Sequence, residues 1–216
     1  MPARTFRGLA VVCSMLVVLG VALGAWPGDP QAPSPPPAAG AGQGPASKPQ
    51  PRPQGQPVPV DPALVQVDDG DTVLIRWAVG DEETVRILGI DSPETRHDEH
   101  KIPFDQSFGL EARAFAMGAF ATATKVELIR SATLDPYGRT LGYFVLNDRN
   151  YSVLIVKARL AEETITFYGD NGLPQLAAKV LEAAKAAGPM PFEPPHIYRK
   201  RMRTVSEASG PLNVTP

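Results

Sequence analysis

An arginine and two carboxylates fall within nine residues of one another, Arg86, Asp91 and Glu94, in the run Val85-Arg86-Ile87-Leu88-Gly89-Ile90-Asp91-Ser92-Pro93-Glu94-Thr95. The run reads as a buried strand feeding a polar turn. Leu88 and Ile90 fall on the side of Arg86, and Val85 and Ile87 on the other. Pro93 ends the strand because it offers no N–H to a ladder. A second acidic turn, Asp68-Asp69-Gly70-Asp71-Thr72, lies one short strand upstream. Carboxylates from two strand ends beside an arginine match the needs of a divalent cation and a phosphodiester: hard oxygen ligands for the one and a planar fork for the phosphate oxygens of the other. Taken singly, each residue has a plainer reading. Asp69 and Asp71 could cap a turn around Gly70, and Arg86 could pair across strands with an acidic neighbour.

The surrounding pattern supplies a frame. Leu64 to Val67 is a short first strand. Thr72 to Val79 alternates, with Val73, Ile75, Trp77 and Val79 on one face. Gly80-Asp81 predicts a hairpin turn with Glu82 and Glu83 at its polar tip, and Thr84 to Ile90 returns as the third strand of a meander. Arg96 to Ser107, polar and mixed in sign, reads as a mobile loop. Phe108 to Thr122 has helical spacing, with Leu110, Ala114, Phe115 and Phe120 largely on one side. Lys125 to Ile129 and Leu141 to Leu146 are strands joined through the turn Leu134-Asp135-Pro136-Tyr137-Gly138-Arg139. Tyr151 to Ala161 and Leu173 to Ala187 are two further helices, the last stopped by Gly188 and Pro189. Five short strands with about three helices predict an α+β domain, a small five-stranded β-barrel of the OB type.

The ends differ from this middle. Arg4 and Arg7 precede an uncharged run of 19 residues, Gly8 to Trp26. Residues 1–26 therefore read as a secretory signal, with Ala22-Leu23-Gly24 as a small-residue cleavage site, or as an N-terminal membrane anchor. Either reading puts the rest of the chain outside the cytoplasm: secreted, periplasmic or tethered to the membrane. About half of the 24 prolines lie in residues 27–62, which predicts a disordered linker. That leaves one domain, residues 63–190, of a length that buries a core without staples. The single cysteine, Cys13, excludes an intramolecular disulfide framework. Residues 191–216 are Pro-rich and then basic, Arg199-Lys200-Arg201-Met202-Arg203, and read as a disordered, solvated tail.

Four pieces in this order resemble the staphylococcal nuclease (thermonuclease) family: Asp69-Gly70-Asp71-Thr72, Arg86 with Asp91-Ser92-Pro93-Glu94-Thr95, Phe108-Gly109-Leu110-Glu111-Ala112 opening a helix, and Asp135-Pro136-Tyr137-Gly138-Arg139. The resemblance covers about Val65 to Ala187. It implies an OB barrel, one bound calcium ion (Ca2+), and endonucleolytic hydrolysis of DNA or RNA that leaves 3′-phosphate ends. By the same resemblance, Asp71 and Asp91 are metal carboxylates and the Ser92 carbonyl is a further ligand. Glu94 positions or deprotonates the attacking water, and Arg86 and Arg139 bind phosphate. Tyr137 contacts the nucleotide, and Tyr168 belongs to an aromatic pair lining its pocket. Ser92 departs from the threonine of the familiar pattern, which is benign because only the carbonyl is used. The loop after Thr95 is longer and carries His97 and His100, expected to face solvent.

So sparse a site implies weak calcium binding, about 10⁻⁵ to 10⁻³ M. A glutamate near a cation and two arginines is expected to stay ionised. Two other classes compete. A non-catalytic nucleic-acid-binding module of the same fold is one, but residues 63–190 carry 13 Lys and Arg against 19 Asp and Glu, a balance of −6 that disfavours tight binding of a polyanion. A surface-tethered adhesive domain is the other, and it leaves the Asp, Glu and Arg constellation unexplained. The chain is expected to be monomeric.

Overall fold

The computed structural model describes residues 48–209. The expected signal or anchor, residues 1–26, lies outside the described residues, as do residues 27–47 of the linker and 210–216 of the tail. In chain order the elements are β1 (Pro57–Val60), a 3-10 turn at Pro62–Leu64, β2 (Val65–Val67), β3 (Thr72–Ala78), β4 (Asp81–Ile87), β5 (Ile90–Asp91), a 3-10 turn at Asp98–His100, and α1 (Gly109–Ala121). Next come β6 (Val126–Leu134), β7 (Thr140–Leu146), β8 (Arg149–Asn150), α2 (Tyr151–Lys157), β9 (Glu162–Glu163), α3 (Ile165–Tyr168), α4 (Pro174–Ala187) and α5 (Pro195–Ser209).

The main sheet is mixed, in the order β1-β6-β7-β4-β3-β2, with β8 beside β7. Its ladders are antiparallel except for β4 with β7, which run parallel. Alternation explains the inner face. Val73 and Ile75 of β3 and Val85 and Ile87 of β4 are buried, with Val73 opposite Val85. Each such side chain contributes about 1.5–3 kcal/mol of burial. Helix α1 lays Ala112, Ala116 and Phe120 on the core, where Phe120 meets Phe144 edge-on at 5.0 Å. The small residues at i, i+4 set the contact face. Leu110, expected on that face, is 57% exposed.

The architecture is α+β, as expected, but several details differ. The path has more than five strands, because residues before 63 join it. In β1 the prolines alternate with valines: Pro57 and Pro59 are exposed, while Val58 is half-buried and Val60 buried. An edge strand tolerates proline, since the missing N–H would face away from the ladder, so Pro-Val-Pro-Val pairs along β6 from Pro57↔Ile129 to Val60↔Val126. The linker expectation fails for this part. At the other end α5 is a helix where a disordered tail was expected. Pro195 opens it, and Tyr198 and Met202, spaced i, i+4, are buried together with Ile102. Val79 falls in the exposed hairpin turn rather than on the strand face. The loop after Thr95 is folded back on itself by paired hydrogen bonds between the backbones of His97 and Ile102.

Glu83 is no hairpin-tip residue. It faces inward on β4 in the same row as Val85 and Ile87, 5% exposed, and is held by four hydrogen bonds. Arg130, 2% exposed, grips both its oxygens at 2.7 Å. Thr140 Oγ1 adds 2.6 Å and Trp77 Nε1 2.8 Å. The leader closes this knot: Gln50 donates to Thr140 and Arg130 donates to the Pro53 carbonyl.

Candidate active site

The strand expected to run from Thr84 to Ile90 breaks after Ile87. Gly89, at φ 78°, turns the chain in a conformation that side-chain-bearing residues seldom adopt, and β5 leaves the main sheet to pair with β9. This break carries Asp91 back over Arg86. Helix α2 pins both acidic segments from below. Tyr151 Oη donates to the Gly70 carbonyl at 2.7 Å, and Ser152 Oγ to the Leu88 carbonyl at 2.8 Å. Gly70 permits the two acidic turns to approach closely, since a Cβ there would lie 2.7 Å from Ser92 Cβ.

The two turns meet at Asp71. Its Oδ2 accepts from Ser92 N at 2.6 Å and from Ser92 Oγ at 3.0 Å. Arg86 bridges them, with Nη1 in contact with Asp71 Oδ1 and Nη2 2.7 Å from Asp91 Oδ1. Asp71, Arg86, Asp91 and Ser92 thus converge as expected, and Glu94 joins through a cation shared with Asp91, Arg199. Burial raises the Asp91 carboxyl, but hydrogen bonds from Arg199 and the charges of Arg86 and Arg199 outweigh it and hold the group below its ordinary value. Glu94 goes the other way. Burial pushes its carboxyl up and Arg199 only partly offsets this, while Asp69 and Asp91 add to the rise. The expectation that Glu94 stays ionised therefore meets an opposing desolvation.

Gln106 clamps Glu94 from behind. Its Oε1 accepts from Glu94 N at 3.1 Å and its backbone N–H donates to the Glu94 carbonyl at 2.8 Å. Gln106 is itself buried, and its Nε2 reaches the Glu193 carbonyl. Glu162 stands opposite Asp91 in the β5–β9 pair, its carboxyl pushed up by burial and then by Asp91. Neither residue belongs to a motif. The pairing that brings them in is long-range and leaves no local pattern.

Arg139 comes from a neighbouring strand start. β7 runs parallel to β4 with Arg86 opposite Leu141, so residue 139, two positions earlier, projects on the face of Arg86. Asp135 builds its turn, accepting from the Tyr137 and Arg139 N–H groups at 2.9 and 2.8 Å and from Arg139 Nε at 2.6 Å. The guanidinium lies 5.6 Å from the centre of the Tyr137 ring, which is 85% exposed. Burial raises the Asp69 carboxyl, while Arg86, the Thr72 amide, His97 and Arg139 pull it down, so Arg139 acts on the acidic turn electrostatically. Tyr168, at the end of α3, is 74% exposed.

The donor set suits a hard cation. Asp71 and Asp91 share one cationic partner, Arg86, and both offer the hard carboxylate oxygens that such an ion takes. His97, expected to face solvent, is half-buried, with Nε2 3.1 Å from Thr95 Oγ1. It groups with Asp68 and Asp69 beside the site.

Fold and site together define a small α+β domain in which an arginine bridges two carboxylates and a second arginine stands on the same sheet face. Residues 84–188 match the family model described as staphylococcal nuclease homologue. The chain is 35% identical over 107 residues to the thermonuclease of Staphylococcus intermedius, covering 49% of this chain and 60% of that protein. It is 32% identical over 109 residues to the thermonuclease of Staphylococcus hyicus, covering 50% and 60%. The chain carries a domain of the staphylococcal nuclease family, and the match spans about 60% of the length of these curated relatives. The family match takes in Arg86, Asp91, Ser92, Glu94, Tyr137, Arg139 and Tyr168, and leaves Asp71 and α5 outside.

Proposed function

We propose that the chain is a calcium-dependent endonuclease that hydrolyses phosphodiester bonds of DNA, RNA or both with little sequence preference, leaving 3′-phosphate ends. The observation that carries this reading is the convergence of Asp71 and Asp91 on the Arg86 guanidinium, with Glu94 three residues beyond Asp91. Asp71, Asp91 and the Ser92 carbonyl would hold calcium, which when bound polarises a phosphoryl oxygen. Glu94 orients the attacking water and takes its proton, held on line by Gln106. Arg86 and Arg139 offer planar forks to the non-bridging oxygens, and their attraction grows as charge builds there. Tyr137, exposed beside Arg139, is placed to stack on a base, and Tyr168 offers a second aromatic surface.

Arg4, Arg7 and the uncharged run after them support a location outside the cytoplasm, with a signal or a membrane tether at the N-terminus. A weak site of few ligands suits that calcium-rich setting. A monomer completes the reading.

The test is cleavage of single-stranded DNA and of RNA by the purified protein. Activity abolished by chelator and restored by calcium, with 3′-phosphate ends, is the expected result. Glu94→Ala and Arg139→Ala are each expected to lower kcat/KM by about 10²-fold or more. Salt-sensitive binding without turnover in calcium would replace the enzyme with a binding module.

A further inference from the structure

Helix α5 brings into the site a residue that lies outside both the motifs and the family match. Arg199 Nη1 donates to Asp91 Oδ1 at 3.0 Å and to Glu94 Oε1 at 2.5 Å, and Nη2 donates to Asp91 Oδ2 at 2.8 Å. One guanidinium therefore occupies both oxygens of Asp91 and one of Glu94. Those are the groups that the proposed function assigns to the cation and to the attacking water. A cation ligated by Asp91 would meet a fixed positive charge at contact range, which is repulsive. Arg199 also competes with water for Glu94, since it takes one of the two oxygens that could place the nucleophile.

The helix is seated by contacts of its own. Tyr198 and Met202 pack with Ile102 in a cluster separate from the main core, and Tyr198 Oη donates to the Phe104 carbonyl at 2.9 Å. Exposed ion pairs complete the seat, Lys101 with Glu207 at 3.1 Å and Arg201 with Glu193 at 2.5 Å. Such pairs hold little in water. Arg199 apart, three buried side chains, the Gln106–Glu193 hydrogen bond and screened charges hold the helix, an anchorage of the kind that opens while the rest of the fold stays closed. The connection from α4 turns at Gly188, φ 72°, and runs through Pro189, Pro191 and Pro194, so α4 ends before α5 begins and the two helices are separate elements.

We propose that α5 is an intramolecular inhibitory strap. Arg199 stands in for the positive charge that the carboxylates require, and calcium with the phosphate backbone displaces it, releasing Asp91 and Glu94 together. The inference rests on the calcium-nuclease reading, and its test is arranged so that the two can fail separately.

The full-length chain is compared with Arg199→Gln and with Met202→Asp, which unseats the helix but keeps the arginine. Calcium affinity is measured by isothermal titration without nucleic acid. Amide exchange across residues 195–208 is followed with and without calcium, and DNA cleavage is measured at limiting calcium. If the strapped form holds roughly nine-tenths of the molecules, both variants bind calcium about tenfold more tightly and cleave faster at limiting calcium. In the unmodified chain, calcium speeds exchange in α5. If these binding and exchange changes occur and no form cleaves, the strap stands and the nuclease reading fails. If Arg199→Gln leaves calcium affinity unchanged, or calcium leaves α5 exchange unchanged, the strap is overturned. Slower cleavage by Arg199→Gln at unchanged calcium affinity overturns it too, and makes Arg199 a contributor to turnover.

Discussion

Arg86 does two jobs that a lysine could not share. Its two terminal nitrogens reach Asp71 and Asp91 separately, so the one fork spans both acidic turns. Arg86→Lys keeps the charge but loses the span, and kcat/KM for single-stranded DNA is expected to fall about 10²-fold, close to the loss in Arg86→Ala. Gln106 tests positioning rather than chemistry. Its side chain bonds the Glu94 N–H and the Glu193 carbonyl, and its backbone bonds the Glu94 carbonyl and the Gly109 N–H, so it does not touch the Glu94 carboxylate. Gln106→Ala should lower kcat by roughly 10- to 10²-fold through misplacement of the carboxylate, with KM little changed. A parallel rise in KM would instead mean that the whole turn had collapsed.

The β3–β4 hairpin depends on a charge buried inside it. Glu83 is satisfied by Arg130, Thr140 and Trp77, so each of these loses an acceptor if it goes. Glu83→Ala leaves Arg130 buried and unpaired and is expected to cost about 3–5 kcal/mol in urea unfolding at pH 7. The pH dependence has a definite sign. Burial raises the Glu83 carboxyl, but the hydrogen bonds of Arg130, Thr140 and Trp77 hold it below its ordinary value of 4.5. A depressed folded value means that the contribution is full above 4.5 and is lost as pH falls through the lower folded value. Urea unfolding between about pH 7 and pH 3 should show stability declining in the acid arm, and Glu83→Gln should flatten that decline. The same knot holds the leader through Gln50 and the Pro53 carbonyl, which ties β1 to the order of β6 and β7.

At the scale of the molecule, the proposed function has an acidic domain bind a polyanion, with the cation as mediator. Residues 63–190 balance at −6 while residues 195–208 carry four basic residues against one acidic, so the charge is separated along the chain. Calcium bound to the folded state alone stabilises it by mass action. At a hundredfold over its dissociation constant the gain is about 2.7 kcal/mol, to be read as a rise in Tm that chelator reverses. An unchanged Tm up to tens of millimolar calcium would remove the metal from the account.

The local motifs were legible because each is short and chemically costly to misplace. Asp69-Gly70-Asp71, Arg86, Asp91-Ser92-Pro93-Glu94 and the Asp135–Arg139 turn declare themselves by residue type, and alternation in β3 and periodicity in α1 and α4 place the frame around them. Other features had no local signature. Proline content hid β1, whose prolines are harmless only because it is an edge strand, and a basic run hid α5, whose buried pair needs Ile102 to be recognised. Glu83 read as a polar tip because charge at a turn normally faces water; its partner Arg130 lies 47 residues away. Sequence alone singled out the groups proposed to carry the chemistry, since type and spacing are written in the chain. Tertiary structure decided which of them touch and what Arg199 does, since contacts between distant residues depend on how strands and helices pack.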